Sequence, residues 1–276
     1  ADQTLCYKMP MKKLFLGLAL SLGFISISNA QNVNDITKKI LDACGKADNV
    51  TYDFFAYERF SGTKRVNSEV QIKFQESPMK IYADSKKPTA ARLIYVPSSN
   101  SKVLVKKGLT LKLDLYSNLL MADQHHPLNQ AGFGTFKKII EQSIKTKGYT
   151  TSSAELSSFV KLLGTVTYDG KTCYAIEILD KDYKLISHKV SADEKTVWDL
   201  GRKYNVPEYR IKEINGIDNE LTAGQVIKMP SAYAKKTTVY VDKATYLPIY
   251  QKMEDDEGVY EIYQFKNLKT NVQFTD

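Results

Sequence analysis

Three histidines, two interior cysteines and one acidic triplet are the side chains of this 276-residue chain with the most chemistry to offer. His125 and His126 are adjacent, and His188 stands alone. A zinc hydrolase would place two histidines one helical turn apart with a glutamate between them. That spacing is absent, as is any Cys-x-x-Cys pair. Adjacent histidines point apart, so His125-His126 reads as a loop ahead of Pro127, with no metal site. Cys44 lies on a helix before Gly45 and is a conceivable nucleophile. A thiolate needs a nearby imidazole and a third group to orient it, and no such motif surrounds Cys44. In an oxidising compartment Cys44 and Cys173 could form a disulfide; they could equally be two buried small hydrophobes. Asp255-Asp256-Glu257 offers carboxylates for acid–base work but precedes Gly258, so a solvated turn is expected. No serine elbow or phosphate-binding glycine loop is present. The chain therefore reads as a non-enzyme with no catalytic residue and no cofactor.

The segment His188–Pro230 has its own pattern. A short strand, His188-Lys189-Val190, leads to a helix in which Val197, Leu200, Gly201 and Tyr204 share one face. Thr196 and Asp199 have capping-box spacing. Asn205-Val206-Pro207 ends that helix and opens a second, in which Ile211 and Ile214 are apolar. Asn215-Gly216 closes it, and Val226 to Pro230 forms a final strand. The order is βααβ.

Those residues resemble the LysM family, in Val190, Thr196-Val197-Trp198, Leu200, Lys203-Tyr204-Asn205-Val206, Ile211, Ile214-Asn215-Gly216 and Gly224 to Pro230. The resemblance implies a partner containing N-acetylglucosamine units, peptidoglycan above all. It places the sugar groove on two loops, Asp193-Glu194-Lys195-Thr196-Val197 and Asn215-Gly216-Ile217-Asp218. Where the family has Gly-Asp-Thr before its first helix, this chain has Asp193-Glu194-Lys195-Thr196, without the glycine and one residue longer. Trp198 reads as a packing residue rather than a sugar platform.

Near the start, Met11, Lys12-Lys13, an uncharged apolar run from Leu14 to Ile27 and Ser28-Asn29-Ala30 have the layout of a secretory leader cut after Ala30. The apolar run is shorter than the ~20 residues of a spanning helix. An exported protein of the periplasm or cell envelope is expected. Loss of the leader lowers the formal charge of +8 by two. The remaining basic excess suits anionic envelope polymers or lipid head groups. No dense Lys/Arg run interleaved with aromatics points to nucleic acid.

The remainder is mostly β. A helix is expected over 36–44, then alternating strands over 51–60, 66–75, 79–83, 91–96, 102–106 and 109–115. Turns are expected at Ser61-Gly62, Ser77-Pro78, Lys87-Pro88, Pro97 to Asn100 and Lys107-Gly108. A helix over 135–145 follows, then strands over 159–168, 172–179, 237–242, 246–253 and 259–265. Aromatics crowd two strands, at Tyr52, Phe54-Phe55, Tyr57 and Phe60 and at Tyr260, Tyr263 and Phe265. They read as core, or as the wall of a cavity for an acyl chain. The pattern fits a curved antiparallel sheet with helices on one face, and a sandwich as well. His126-Pro127 with Gly132-Phe133-Gly134, and Val241 to Pro248, resemble an uncharacterised secreted family grouped with the outer-membrane lipoprotein carriers. That resemblance implies an α+β half-open barrel with helices on its concave side.

Two parts are expected after residues 1–30: a discontinuous β-domain, 31–185 and 235–276, and the βααβ module at 188–230, grafted between strands 172–179 and 237–242. Three functions follow in order. The first is an envelope protein bound to peptidoglycan through the module, with a β-domain for a hydrophobic ligand. The second is a periplasmic lipid or lipoprotein carrier or sensor that the module merely localises. The third is a cell-wall hydrolase.

Overall fold

The structure, a computed structural model, describes residues 25–61, 64–85, 91–96, 100 and 102–274, with side chains from residue 33 onward. The leader up to residue 24 and the turns at Gly62, Lys87-Pro88 and Pro97 to Ser99 lie outside the described residues.

Eleven antiparallel strands form one sheet in the order β6-β5-β4-β3-β2-β1-β13-β12-β11-β8-β7. Its first half is a meander of β1 (Asn49–Arg59), β2 (Arg65–Gln75), β3 (Lys80–Ser85), β4 (Arg92–Tyr95), β5 (Lys102–Lys107) and β6 (Leu109–Asp114). The second half holds β7 (Val160–Tyr168), β8 (Lys171–Leu179), β11 (Lys236–Asp242), β12 (Pro248–Asp255) and β13 (Gly258–Thr270). The long strands β1 and β13 pair at the centre, Phe54 opposite Phe265, while β6 and β7 are the two edges, so the sheet does not close.

Two helices, α1 (Ile25–Lys46) and α3 (Phe133–Thr146), cover the apolar face. Val33, Ile36 and Ile40 of α1 and Ile140 and Ile144 of α3 share one core with Tyr52, Ile72, Phe74 and Phe265 of the sheet. This arrangement, rather than a second sheet, buries the inward phase of the strands. The helix α1 is longer than its apolar stripe indicated, being helical already at Ile25, the first described residue, rather than from residue 36. Short helices α2 (Asn118–Met121) and α4 (Leu156–Phe159) flank α3.

Between β8 and β11 sits a compact unit of β9 (Leu185–Lys189), α5 (Val197–Tyr204), α6 (Glu208–Asn215) and β10 (Val226–Pro230). Its two strands pair, Leu185 opposite Pro230, and the host strands pair just outside, Leu179 opposite Lys236. Between those pairs the chain stays double, with Asp180 N–H donating to Lys235 O at 2.9 Å and Ser231 N–H to Lys184 O at 2.9 Å. The unit has its own core of Val190, Val197, Leu200, Val206, Ile211, Ile227 and Met229. Cys44 and Cys173 are free and buried, so the disulfide considered from sequence is not formed. Each thiol fills its own place in the core instead.

Candidate functional site

The first loop expected to hold sugar pairs with the residues just past the second. Thr196 and Glu220 form a β-bridge, Val197 N–H donates to Asn219 O at 2.8 Å, and Leu221 N–H to Lys195 O at 2.9 Å. Thr196 caps α5, with Asp199 N–H donating to its Oγ1 at 3.1 Å and Thr196 N–H returning to the Asp199 carboxylate at 2.9 Å. Asp193, Lys195, Gly216 and Asp218 are exposed, and Thr196, Asn215 and Ile217 are half-buried. Glu194 and Val197 are buried, so their side chains serve the inside of the unit. Glu194 accepts from His188 Nε2 (2.8 Å), Ser191 N–H (2.9 Å), Lys203 Nζ (2.8 Å) and Tyr204 Oη (3.0 Å). Burial opposes its charge, and these donors outweigh burial, holding the carboxyl below its ordinary range. The longer first loop is thus anchored by its own glutamate. Asn215 spans to β10, accepting from Lys228 N–H at 2.8 Å and donating to Lys228 O at 2.6 Å. Gly216 ends α6 at φ 59°, the left-handed region that suits glycine.

This unit is fastened to the sheet, and the start of α6 makes the joint. Tyr209 stacks on His125 with ring centroids 4.8 Å apart and accepts from Ser61 N–H at 3.0 Å. Arg210 donates to Glu213 within its helix at 2.6 Å and, across the joint, to Asp256 at 3.1 Å and Glu257 at 2.8 Å. Its Nε lies 3.2 Å from Asp255, which Arg59 of β1 also grips with both terminal guanidinium nitrogens. Of the acidic triplet, expected as a solvated turn, Asp256 and Glu257 are exposed at the turn and Asp255 is buried, and all three face Arg210. From α5, Arg202 donates to Tyr116 Oη at 3.0 Å, and Trp198 packs on the Tyr116 ring at 5.3 Å. Gly201 of α5 lies against Glu208 of α6, and a Cβ there would overlap the Glu208 Cγ. Gly201→Ala is expected to cost about 1–3 kcal/mol through overpacking, read as a lower thermal midpoint.

Beneath the joint, a cavity of about 180 Å³ opens between the sheet and α3. Tyr52, Phe54, Val70, Ile72, Phe136 and Phe265 make its apolar wall, and Glu58, Gln124, His126 and Gln130 its polar end. Gly132, which caps α3, approaches the Phe74 ring so closely that a Cβ would clash with it.

The polar end continues into a buried network. His125 lies in it, 2% exposed, and not in a free loop. The Glu261 carboxylate can only accept, so His125 Nδ1–H donates to it at 2.7 Å. Tyr233 O–H donates to the other Glu261 oxygen at 2.8 Å. That hydroxyl has one proton, so at 2.7 Å from it His126 Nε2 must be the donor. Its Nδ1 lies 2.7 Å from Gln130 Oε1. With both nitrogens donating, His126 is an imidazolium. Burial opposes that charge, and the Glu261 carboxylate outweighs burial, raising the imidazole to about 9. Glu261 is correspondingly held below the ordinary carboxylate range, burial notwithstanding. Glu58 accepts from Tyr263 O–H at 2.7 Å and His125 N–H at 3.1 Å. Burial raises the carboxyls of Glu58 and of Glu208, the latter brought in by α6.

Glu58, His125 and Glu261 offer ligand atoms within 4.8 Å of one another. The hydrogen bonds above engage both carboxylates and His125 Nδ1, while His125 Nε2 is buried without a partner. Sequence reading missed this cluster. The available signal was a carboxylate on the inward phase of each aromatic strand: Glu58 follows Tyr52, Phe54 and Ala56 by twos, and Glu261 precedes Tyr263 and Phe265 likewise. Burial pushes the Cys44 thiol up to about 12, which opposes formation of a thiolate there.

An open antiparallel sheet with helices in its concavity, carrying a docked βααβ unit, defines the architecture. The LysM domain profile matches residues 188–230, and the chain carries a LysM domain there. No curated protein matches the chain. Among solved structures it is similar to MucB, at 11% identity and a TM-score of 0.41, over 89% of this chain and 61% of that one. The chain thus spans about three fifths of the length of MucB. It is also similar to LprF from Mycobacterium bovis, at 10% identity and a TM-score of 0.44, over 90% of this chain and 98% of that one. A LolA superfamily protein from Nitrosomonas europaea is similar at 8% identity and a TM-score of 0.31, over 88% of this chain and 94% of that one. These are likenesses of fold.

Proposed function

We propose that this chain is a non-enzymatic, exported envelope protein. In this reading the LysM domain at 188–230 binds a glycan containing N-acetylglucosamine, as in peptidoglycan, and the β-domain of 31–185 and 235–276 holds an apolar ligand. The observation that carries it is the LysM match falling on a βααβ unit with its own core and paired ends. Asp193, Lys195, Thr196 and Gly216 to Asp218 are the groove positions left open to a sugar, whereas Glu194, Val197 and Asn215 shape the loops from within. No helix among the described residues is long and apolar enough to cross a membrane. Retention of the intact protein on purified peptidoglycan, competed by soluble N-acetylglucosamine oligomers, tests the reading. Retention unaffected by the oligomers, or none at all, defeats it.

The cavity favours the lipid-carrier reading as a second role. At about 180 Å³ it exceeds the ~150 Å³ of a site that admits benzene. Burying six methylenes there is worth roughly 5 kcal/mol. Extraction with organic solvent followed by mass spectrometry is expected to recover an acyl compound. A wall hydrolase ranks last, since the sequence carries no nucleophile or metal motif and burial opposes a thiolate at Cys44.

A further inference from the structure

The β5–β6 hairpin is out of character with the rest of the sheet. It turns at Gly108, φ 74°, and its second strand is an edge. Leu109 is 81% exposed and Leu111 51%, at the tip and one step in. Directly opposed residues share a face, so Leu111 sits in one row with Val105, Leu93, Ala83, Ile72 and Tyr52. Tyr52, Ile72, Ala83 and Leu93 line the cavity. The apolar stripe of the concave face therefore runs from the cavity out to the free edge and past the cover of the helices.

The charge around the tip has one sign. Lys106, Lys107 and Lys112 are exposed, and none has an ion pair among the described residues. The nearest acid on the hairpin, Asp114, is bound by Lys102 at 3.1 Å. Lysines on an edge strand commonly guard against strand-to-strand association. That role accounts for the lysines but not for a leucine at the tip, where a polar residue would serve better. Lys107, opposite Leu109, shares the leucines' face, and Lys106 and Lys112 flank the tip from the other face. Exposed leucines with lysines on both sides and no carboxylate between them match the chemistry of an anionic lipid surface. The apolar side chains enter the hydrocarbon boundary, and the ammonium groups meet phosphate oxygens.

We propose that the β5–β6 hairpin docks this protein on an anionic lipid bilayer, with Leu109 and Leu111 inserted and Lys106, Lys107 and Lys112 against the head groups. This stands apart from the cavity reading, because it requires no ligand in the cavity. The test is co-sedimentation of the purified protein with phosphatidylcholine vesicles containing 30% phosphatidylglycerol, beside vesicles of phosphatidylcholine alone. The comparison is with Leu109→Ser/Leu111→Ser and with Lys106→Gln/Lys107→Gln/Lys112→Gln. All variants carry the same N-terminal segment, so differences among them read the hairpin. The leucine variant is expected to lose at least ten-fold in partitioning onto anionic vesicles. The lysine variant is expected to lose the preference for anionic over neutral vesicles, and 0.5 M salt should reduce wild-type binding in the same way. The substituted sites are exposed, so unchanged circular dichroism and thermal midpoints are expected for both. Equal partitioning of wild type and both variants overturns the proposal. So does a wild-type dimer that the leucine variant abolishes without change in vesicle binding, which would assign the edge to a second copy of this chain.

Discussion

Arg210→Ala is expected to cost about 3–5 kcal/mol and to free the LysM domain from the sheet. The Arg210 side chain is 2% exposed and meets four carboxylates, of Glu213, Asp255, Asp256 and Glu257. Its loss leaves the Asp255 side chain, also 2% exposed, with Arg59 alone, and leaves Glu213 without its close cation. Removing one partner from a buried ion pair strands the other charge in a poor solvent, which is the origin of the magnitude. The pair Lys39–Asp35 on α1 is a fair control, being about half exposed on both sides. Its removal should go unnoticed, since water already solvates both charges. The single tryptophan makes the experiment direct, because Trp198 belongs to the LysM domain and packs on Tyr116 of the host. In wild type, tryptophan fluorescence and far-ultraviolet circular dichroism should report one coincident urea transition. In Arg210→Ala the fluorescence transition should move ahead of the other. Coincident transitions at an unchanged midpoint would remove the case for a fastened domain.

A fastened domain changes what an insertion of this kind does. Ends that lie side by side allow a module to be carried without disturbing its host, and a free tether would need nothing more. Here α6 also places Glu208, Tyr209 and Arg210 against the host, and Glu208 reaches Gln130 and the field of His126. Gln130 and His126 line the cavity. His126 and Gln130 thus stand between the cavity and the first turn of α6.

Much of this was legible from period and punctuation. Alternation at Val66, Ser68, Val70, Ile72 and Phe74 located β2, and Asp169-Gly170 located the β7–β8 turn. The capping pair Thr196 and Asp199 fixed the start of α5. The side of the sheet taken by the helices was not legible from pattern, because a second sheet would bury the same inward residues. The joint was illegible for a different reason. Asp255 looks like a turn residue until Arg210 arrives from 45 positions away and Arg59 from 196. No local rule connects residues so separated. His125 and His126 looked like loop residues for the same reason, since their partner Glu261 belongs to the last strand.

Stability is expected to fall between pH 7 and pH 10 through His126, and His126→Gln is expected to flatten that fall. The folded-state value of about 9 stands above the ordinary ~6.5. The imidazolium therefore contributes its full stabilisation below the ordinary value and loses it as pH rises through about 9. A displacement of that size corresponds to roughly 3 kcal/mol. The groups facing His126 set the rest of the profile. Glu58 on β1 and Glu208 on α6 are raised by burial, so their contributions also decline as pH rises above the ordinary carboxylate value. Glu261 on β13 is depressed, and its contribution is lost at the acid end, as pH falls through its folded value. Tyr233 keeps its proton across the range, since burial beside Glu261 raises it well above the usual phenol value. In His126→Gln the Glu261 carboxylate keeps Tyr233 and His125 as donors but loses its cation. The variant should start less stable at pH 7 by a similar amount and decline less toward pH 10. Thermal midpoints of both proteins at the two pH values decide the matter. Parallel declines would show that the alkaline loss arises elsewhere, and that His126 is not the charge balancing Glu261.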